Sequence, residues 1–176
     1  MPMMDLYSLH ANPEKLDGYE RRFEIPLFAY DYGKSNGFTD EVISLIAKDP
    51  DSAVEYAERV LKKPWHESDV DPGIARQAEQ TIAKGTGTVP LSYARYVLDK
   101  PWHEAEGIDP KIARKAELSI ATNALSAFQY AYYVLGKAWR KAPGIDSDLA
   151  RQAEQTIAKD AGTASMLYAY NFGIKL

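Results

Sequence analysis

Apolar residues gather in two kinds of segment along this chain, and both kinds recur at a spacing near 37 residues. In the first kind, apolar side chains stand two residues before a Tyr-Ala pair and, in three copies, four and five residues after the tyrosine. The tyrosines are Tyr56, Tyr93, Tyr130 and Tyr168. Apolar positions at this spacing predict a helix with a wide buried stripe.

The second kind of segment has a clear helix start. An aspartate precedes Pro72, Pro110 and Ser147, and aspartate at the N-cap with proline at the first helical position favours helix initiation. Each segment continues with Ala-Arg-x-Ala-Glu, and the helices are predicted to end near Lys84, Thr122 and Lys159. The arginine and the glutamate lie three residues apart, so they are expected to pair on the solvent side.

This alternation predicts an all-α, α-solenoid-like stack of antiparallel helix pairs, because a fixed period in this range is typical of stacked supersecondary units. We expect one domain over residues 1–176. It comprises an atypical N-terminal cap with a short first repeat (1–50), three full repeats (51–84, 85–122, 123–160) and a terminal half-repeat (161–176). In the first repeat, Phe28-Ala29 takes the place of Tyr-Ala, and the second helix is predicted to be shorter.

Each full repeat also carries one tryptophan after its first helix. We expect Trp65, Trp102 and Trp139 to close their hairpins, and the four repeat tyrosines to pack in the core or between repeats. His66 and His103 follow two of the tryptophans and suggest metal ligands, but neighbouring helices pack about 8–10 Å apart. Two such histidines cannot share one zinc ion, and Arg140 replaces the third. We therefore predict no metal site.

Composition narrows the function classes. The net charge of −4 lies in the first 50 residues, and the positive and negative side chains of residues 51–176 are equal in number. The chain therefore has no basic stripe, and we do not expect direct nucleic-acid binding. The chain has no cysteine. It shows no secretory signal and no apolar run of membrane-spanning length, which predicts a cytoplasmic protein without a membrane partner. No catalytic or cofactor motif is present. We expect no enzyme activity and no cofactor.

One run of residues resembles a known repeat. Ile46-Ala47-Lys48-Asp49-Pro50, Tyr56-Ala57, Val60-Leu61-Lys62 and Pro64-Trp65 are similar to short helical-hairpin repeats found in tailed-bacteriophage and other viral proteins. The resemblance covers about residues 26–176, and the second helices here are longer than in that family. It implies a viral source, hence the host-cell cytoplasm, but no catalytic residues.

Two positions of the first helix vary while their neighbours stay constant. They lie two and three residues after the repeat tyrosine, and we call them positions +2 and +3. A variable position is typical either of an ordinary surface or of a specialised contact face, and exposed tyrosine and arginine are frequent interface anchors. Position +2 is predicted to be the more exposed. The candidate binding residues are Glu58, Arg59, Arg95, Tyr96, Tyr132, Tyr133 and Tyr170.

The sequence therefore favours non-catalytic protein binding, and the viral resemblance suggests a host factor, such as a defence component, as the partner. Three alternatives stay open: a virion or assembly component, a sponge for a nucleotide signal, and an enzyme without a recognised motif. A further hypothesis gives the partner contact to the acidic N-terminal segment around Asp5, Glu14 and Asp17. The oligomeric state cannot be predicted.

Overall fold

The protein is a stack of helices in the computed structural model, which describes residues 25–160 and 162–174, with side chains from residue 28. The described residues form nine α-helices and no β-strand, which confirms the predicted all-α stack. In chain order the helices are α1 Ile25–Asn36, α2 Asp40–Ile46, α3 Pro50–Tyr56, α4 Pro72–Lys84, α5 Thr88–Tyr93, α6 Pro110–Ala121, α7 Ala124–Tyr130, α8 Ser147–Lys159 and α9 Thr163–Phe172.

The N-terminal unit consists of α1 and α2. Its second helix has 7 residues, against 12 or 13 in α4, α6 and α8, so the unit is shorter, as predicted. The prediction that Phe28-Ala29 takes the place of the Tyr-Ala pair is wrong by two residues. Tyr30 is buried and faces Phe38 with ring centroids 6.2 Å apart, and Phe38 lies 4.9 Å from the ring of Tyr56. Tyr30 and Phe38 therefore take the places of the repeat tyrosine and tryptophan.

The first helix of each full repeat ends in a way that periodicity does not predict. Helices α3, α5 and α7 continue directly into five-residue π-helical segments at Ala57–Leu61, Ala94–Leu98 and Ala131–Leu135. The next residue, Lys62, Asp99 or Gly136, adopts the left-handed conformation with φ of 54°, 52° or 63°. This residue ends the first helix in all three full repeats.

The second helices begin as the sequence predicts. The carboxylate of Asp71 accepts hydrogen bonds from the backbone N–H groups of Gly73 and Ile74, and Asp146 caps α8 in the same way. Asp109 caps α6 through one such bond, from Lys111. Consecutive second helices pack against each other, as do consecutive first helices. The molecule therefore has two helical layers, with the fully buried repeat isoleucines Ile46, Ile82, Ile120 and Ile157 in its core.

Candidate binding face and inter-repeat joints

The candidate binding residues lie on the outer side of the first helices. Glu58, Arg59, Tyr96, Tyr132, Tyr133 and Tyr170 are exposed, and Arg95 is half-buried. We use the name tyrosine face for Arg95, Tyr96, Tyr132 and Tyr133, which lie on neighbouring repeats. Tyr170 belongs to α9 at the C-terminal end of the stack.

Arg95 is the centre of the tyrosine face. The carbon at the centre of its guanidinium lies 3.8 Å from the ring centroid of Tyr133 and 4.9 Å from that of Tyr96. The rings of Tyr132 and Tyr133 meet edge to face at 4.9 Å. Among the described residues, Arg95 forms no ion pair. Two cation–π contacts thus hold a guanidinium whose charge no carboxylate neutralises.

The prediction that position +2 is the more exposed of the two fails at Arg95, whereas Tyr132 and Tyr133 are almost equally exposed. Tyr96 at +3 is 54% exposed while Arg95 at +2 is half-buried, and Tyr133 and Tyr132 are 50% and 47% exposed. The reason is that position +2 points toward the next repeat, where Arg95 meets Tyr133. Other +2 residues are exposed: Glu58 is open to solvent, and Tyr170 is 87% exposed, since no further repeat follows α9 among the described residues.

The tyrosine face borders an acidic groove at its N-terminal end. A groove of about 330 Å³ is lined by Asp51, Glu55, Glu58, Arg59 and Tyr96, among others. Arg59 is paired there with Glu55 at 2.8 Å. The fold thus brings Glu58 and Arg59 next to Tyr96. This end of the face carries carboxylates, whereas no described carboxylate pairs with Arg95.

The tryptophans lie on the loops that connect the first helix to the second. Trp65, Trp102 and Trp139 are fully buried, which confirms the packing prediction, and each ring lies 5.1–5.2 Å from the ring of its own repeat tyrosine. The indole N–H of Trp102 donates to the backbone carbonyl of Pro90 at 2.9 Å. The indoles of Trp65 and Trp139 make the same bond to Ala53 and Ala127. Each tryptophan therefore fixes its loop to the start of its own first helix.

Three of the repeat tyrosines connect two repeats each: Tyr93, Tyr130 and Tyr168. The hydroxyl of Tyr130 accepts from the backbone N–H of Trp102 at 3.1 Å and donates to Oε1 of Glu117 at 2.9 Å. Tyr93 and Tyr168 do the same for the repeats that precede them. We call this set of a tryptophan N–H, a tyrosine hydroxyl and a glutamate a joint. Burial raises the pKa of the Tyr93 and Tyr130 hydroxyls well above the ordinary value, so both remain protonated donors.

The glutamates of the joints overturn the prediction of exposed Arg–Glu pairs. Glu79, Glu117 and Glu154 are buried, whereas the arginines three residues earlier lie outside. Arg76 instead pairs with Asp109 of the next repeat at 2.7 Å, and Arg114 pairs with Asp146 at 3.4 Å. The sequence did contain a signal, because the glutamate is invariant while the residue two positions before it changes among Gln77, Lys115 and Gln152.

The histidines complete two of the joints. Nδ1 of His66 lies 2.6 Å from Oε1 of Glu79, and Nδ1 of His103 lies 2.6 Å from Oε1 of Glu117. The second ring nitrogen of His103 lies 3.0 Å from the backbone carbonyl of Pro143 in the following repeat, and that of His66 lies 3.7 Å from Oε1 of Glu67. An imidazole between two acceptors needs a proton on both nitrogens. Hydrogen bonding to the glutamates accordingly raises the pKa of both histidines.

Each histidine is covered by a glycine of the next loop. A Cβ added at Gly107 would lie 2.8 Å from Cδ2 of His66, and one at Gly144 would lie 2.7 Å from Cδ2 of His103. Both glycines have positive φ, 90° and 78°, which strains any other residue. The loop after Trp65 is one residue shorter and lacks this glycine. In the unit before it, Thr39 follows Phe38 at the place where a histidine follows Trp65 and Trp102.

Arg140 completes the third joint. Its Nε donates to Oε2 of Glu154 at 2.6 Å, and its Nη2 contacts the same oxygen. This bonding raises the pKa of Arg140. The guanidinium is half exposed, because no later loop covers it in the described part of the chain. Arg140 thus bonds its glutamate while it stays in contact with solvent. The two histidines bond theirs beneath a covering loop.

The first joint also borders a cleft of about 500 Å³ between α4 and α6, lined by Trp65, His66, Arg76, Glu79 and Asp109 among others. The glutamate is paired with the histidine and the arginine with the aspartate. The first of these pairs lies within one repeat, and the second connects two repeats. Within the described residues, no three histidine, aspartate or glutamate side chains are grouped as metal ligands.

No protein-family model, curated protein or solved structure matches the chain. None of the helices in the described ranges has the length and apolar character needed to cross a bilayer.

Proposed function

We propose that this chain is a non-catalytic repeat protein that binds another protein through the tyrosine face. The observation that carries the proposal is Arg95 between Tyr96 and Tyr133, with Tyr132 beside them. Exposed tyrosines around an arginine are typical of interface hot spots, since their rings bury large areas at a small cost in side-chain entropy. The exposed edge of the guanidinium suits a carboxylate on the partner.

The variability of the face supports the same proposal. The joints use the same tryptophan, tyrosine and glutamate in every repeat, while positions +2 and +3 carry Glu58-Arg59, Arg95-Tyr96, Tyr132-Tyr133 and Tyr170-Asn171. None of these eight side chains belongs to a joint, so their identity is not determined by the stacking of repeats.

The setting of the proposed activity is an infected cell. A viral protein in the host cytoplasm would bind a host factor, such as a component of antiviral defence. This part of the proposal rests on the sequence resemblance alone.

The test is a comparison of three forms of the full chain as bait in an extract of the native host. They are the wild type, the double variant Arg95→Ala/Tyr132→Ala, and a control with Lys115→Ala/Gln155→Ala on the exposed side of the second helices. We expect one dominant protein to bind the wild type and the control. Its measured affinity for the Arg95→Ala/Tyr132→Ala variant should be lower by more than about 1.4 kcal/mol, a factor of ten.

A partner that binds this double variant with wild-type affinity would contradict the proposal. The acidic N-terminal segment would then be the candidate, and charge reversal at Asp5, Glu14 and Asp17, which lie outside the described residues, should abolish binding. Recovery of the chain in purified virus particles would favour a virion component. Thermal stabilisation by nucleotides would favour the sponge.

A further inference from the structure

The last described first helix, α9, exposes a side chain at a position that each full repeat buries. Two residues before the repeat tyrosine, Val54, Leu91 and Phe128 are 7%, 6% and 7% exposed, whereas Met166 at the same position is 69% exposed. Four residues later on the same helix face, Tyr170 is 87% exposed. We call Met166 and Tyr170 the terminal edge.

In the earlier repeats the equivalent surface is covered by the next first helix. Val54 and Glu58 line a groove together with Val89 and Tyr96 of the following repeat, and Arg95 extends to Tyr133. The terminal edge therefore has the position and the apolar character of a surface that receives another helix, but the described residues supply none.

We propose that the terminal edge binds a second copy of this chain, with α9 of one copy packed against α9 of its partner across a two-fold axis. Because both copies contribute the same surface, Met166 and Tyr170 of each would meet those of the other. Helix α9 contains no charged residue, so the two helices approach without repulsion between like charges.

At the other end of the stack, the described side chains of α1 (from residue 28) offer no matching surface. The exposed side chains among the described residues of α1 are Asp31, Lys34, Ser35 and Asn36, and the first two form an exposed ion pair at 3.7 Å. A head-to-tail contact would place these polar groups against the apolar Met166. The symmetric contact avoids that desolvation.

The joint at Arg140 can be compared with the first helix that follows it. In the loops, Arg140 replaces histidine and completes the last joint from the solvent side. In the first-helix layer no such polar replacement occurs at Met166. Among the described residues, Arg140 meets solvent with a charged group, whereas Met166 meets it with an apolar side chain.

The oligomeric state of the full chain tests the proposal. A contact between two single helices lies at the small end of specific interfaces, below about 1,200 Å² in total, so we expect a weak dimer whose fraction rises with concentration. Sedimentation equilibrium should show this for the wild type. Met166→Glu should raise the dimer dissociation constant more than about tenfold. The matched control Leu118→Glu, an equally apolar exposed position on α6, should leave it unchanged.

A second measurement locates the contact. Because the chain has no cysteine, Met166→Cys and Tyr170→Cys each place one thiol on the terminal edge. Mild oxidation should link copies of at least one of these variants into dimers, and it should leave Leu118→Cys monomeric. A wild type that is monomeric at every concentration would overturn the proposal, as would a dimer that Met166→Glu does not weaken. Loss of dimerisation leaves the Arg95 cluster intact, so partner binding can be scored separately.

Discussion

The loop side and the first-helix side of this molecule use the same residue type, tyrosine, in opposite ways. On the loop side, Tyr93, Tyr130 and Tyr168 are buried, and each hydroxyl connects a tryptophan N–H to a glutamate of the preceding repeat. On the first-helix side, Tyr96, Tyr132 and Tyr133 are about half exposed and differ from repeat to repeat. In this molecule the invariant tyrosines make the stacking contacts, whereas the variable ones lie on the surface.

Within the loop side, the joints differ in one residue. Two use a histidine beneath a glycine of the next loop, and the last uses Arg140 in contact with solvent. The internal joints should therefore respond to pH, whereas the terminal joint should not, because arginine stays charged over the accessible range.

The largest expected effect comes from emptying a tryptophan site. Trp102→Ala should lower the free energy of unfolding by about 3–5 kcal/mol, because it removes a fully buried ring and leaves a cavity. Tyr96→Ala on the tyrosine face is the matched aromatic control and should change it by no more than about 0.5 kcal/mol. Urea denaturation measures both. Equal losses of unfolding free energy in the two variants would contradict the distinction between a buried loop side and an exposed first-helix side.

Removing the charge of a joint comes next. Glu117→Gln should cost about 1–3 kcal/mol, because buried donors on Tyr130 and His103 lose their carboxylate acceptor. Glu104→Gln changes an exposed glutamate in the loop of the same joint, 3.6 Å from Nε2 of His103, and should be close to neutral. If urea denaturation shows both variants to be equally stable, Glu117 does not hold the repeats together.

The histidines give the joints a pH dependence of defined sign. Their pKa is raised in the folded state, so their stabilising contribution is complete below the unfolded value of about 6.5. It is lost as the pH rises through the folded values. Unfolding free energies measured from pH 6 upward should therefore decline. The double variant His66→Gln/His103→Gln should flatten this decline; an unchanged slope would assign the pH dependence to other groups.

The smallest expected effect is on the tyrosine face. Arg95→Ala/Tyr132→Ala should change the unfolding free energy by no more than about 0.5 kcal/mol, since neither side chain is buried or part of a joint. Thermal and urea denaturation check this value. A loss of several kcal/mol would show that the face is part of the core, and reduced binding by this variant would then reflect unfolding.

The stacked helix pairs could be predicted from the sequence because their signals are local. The recurring Tyr-Ala pairs gave the first helices, and aspartate before Pro72 and Pro110 gave the starts of two second helices. The π-helical segments could not be predicted this way. They depend on a hydrogen bond such as Lys62 N–H to the Ala57 carbonyl, 2.7 Å, which leaves the apolar pattern unchanged.

The candidate site could be predicted in its residues but not in its geometry. Variation at positions +2 and +3 pointed to Arg95 and Tyr132, yet the relative exposure of the two positions depends on the next repeat, which single-helix periodicity ignores. The joints were missed because a buried glutamate is rare unless it is paired. The partners of Glu117, His103 and Tyr130, stand 14 and 13 residues away in sequence.

Hydrogen exchange at the backbone N–H of Trp102 tests the central claim most directly. This group lies in a loop, and its acceptor is the Tyr130 hydroxyl of the next repeat. If the joints hold the stack together, it should exchange as slowly as the backbone N–H groups in the middle of α6, which open only when the repeats separate. Exchange at the rate of an exposed loop would show that the joint is open in solution and would contradict the account.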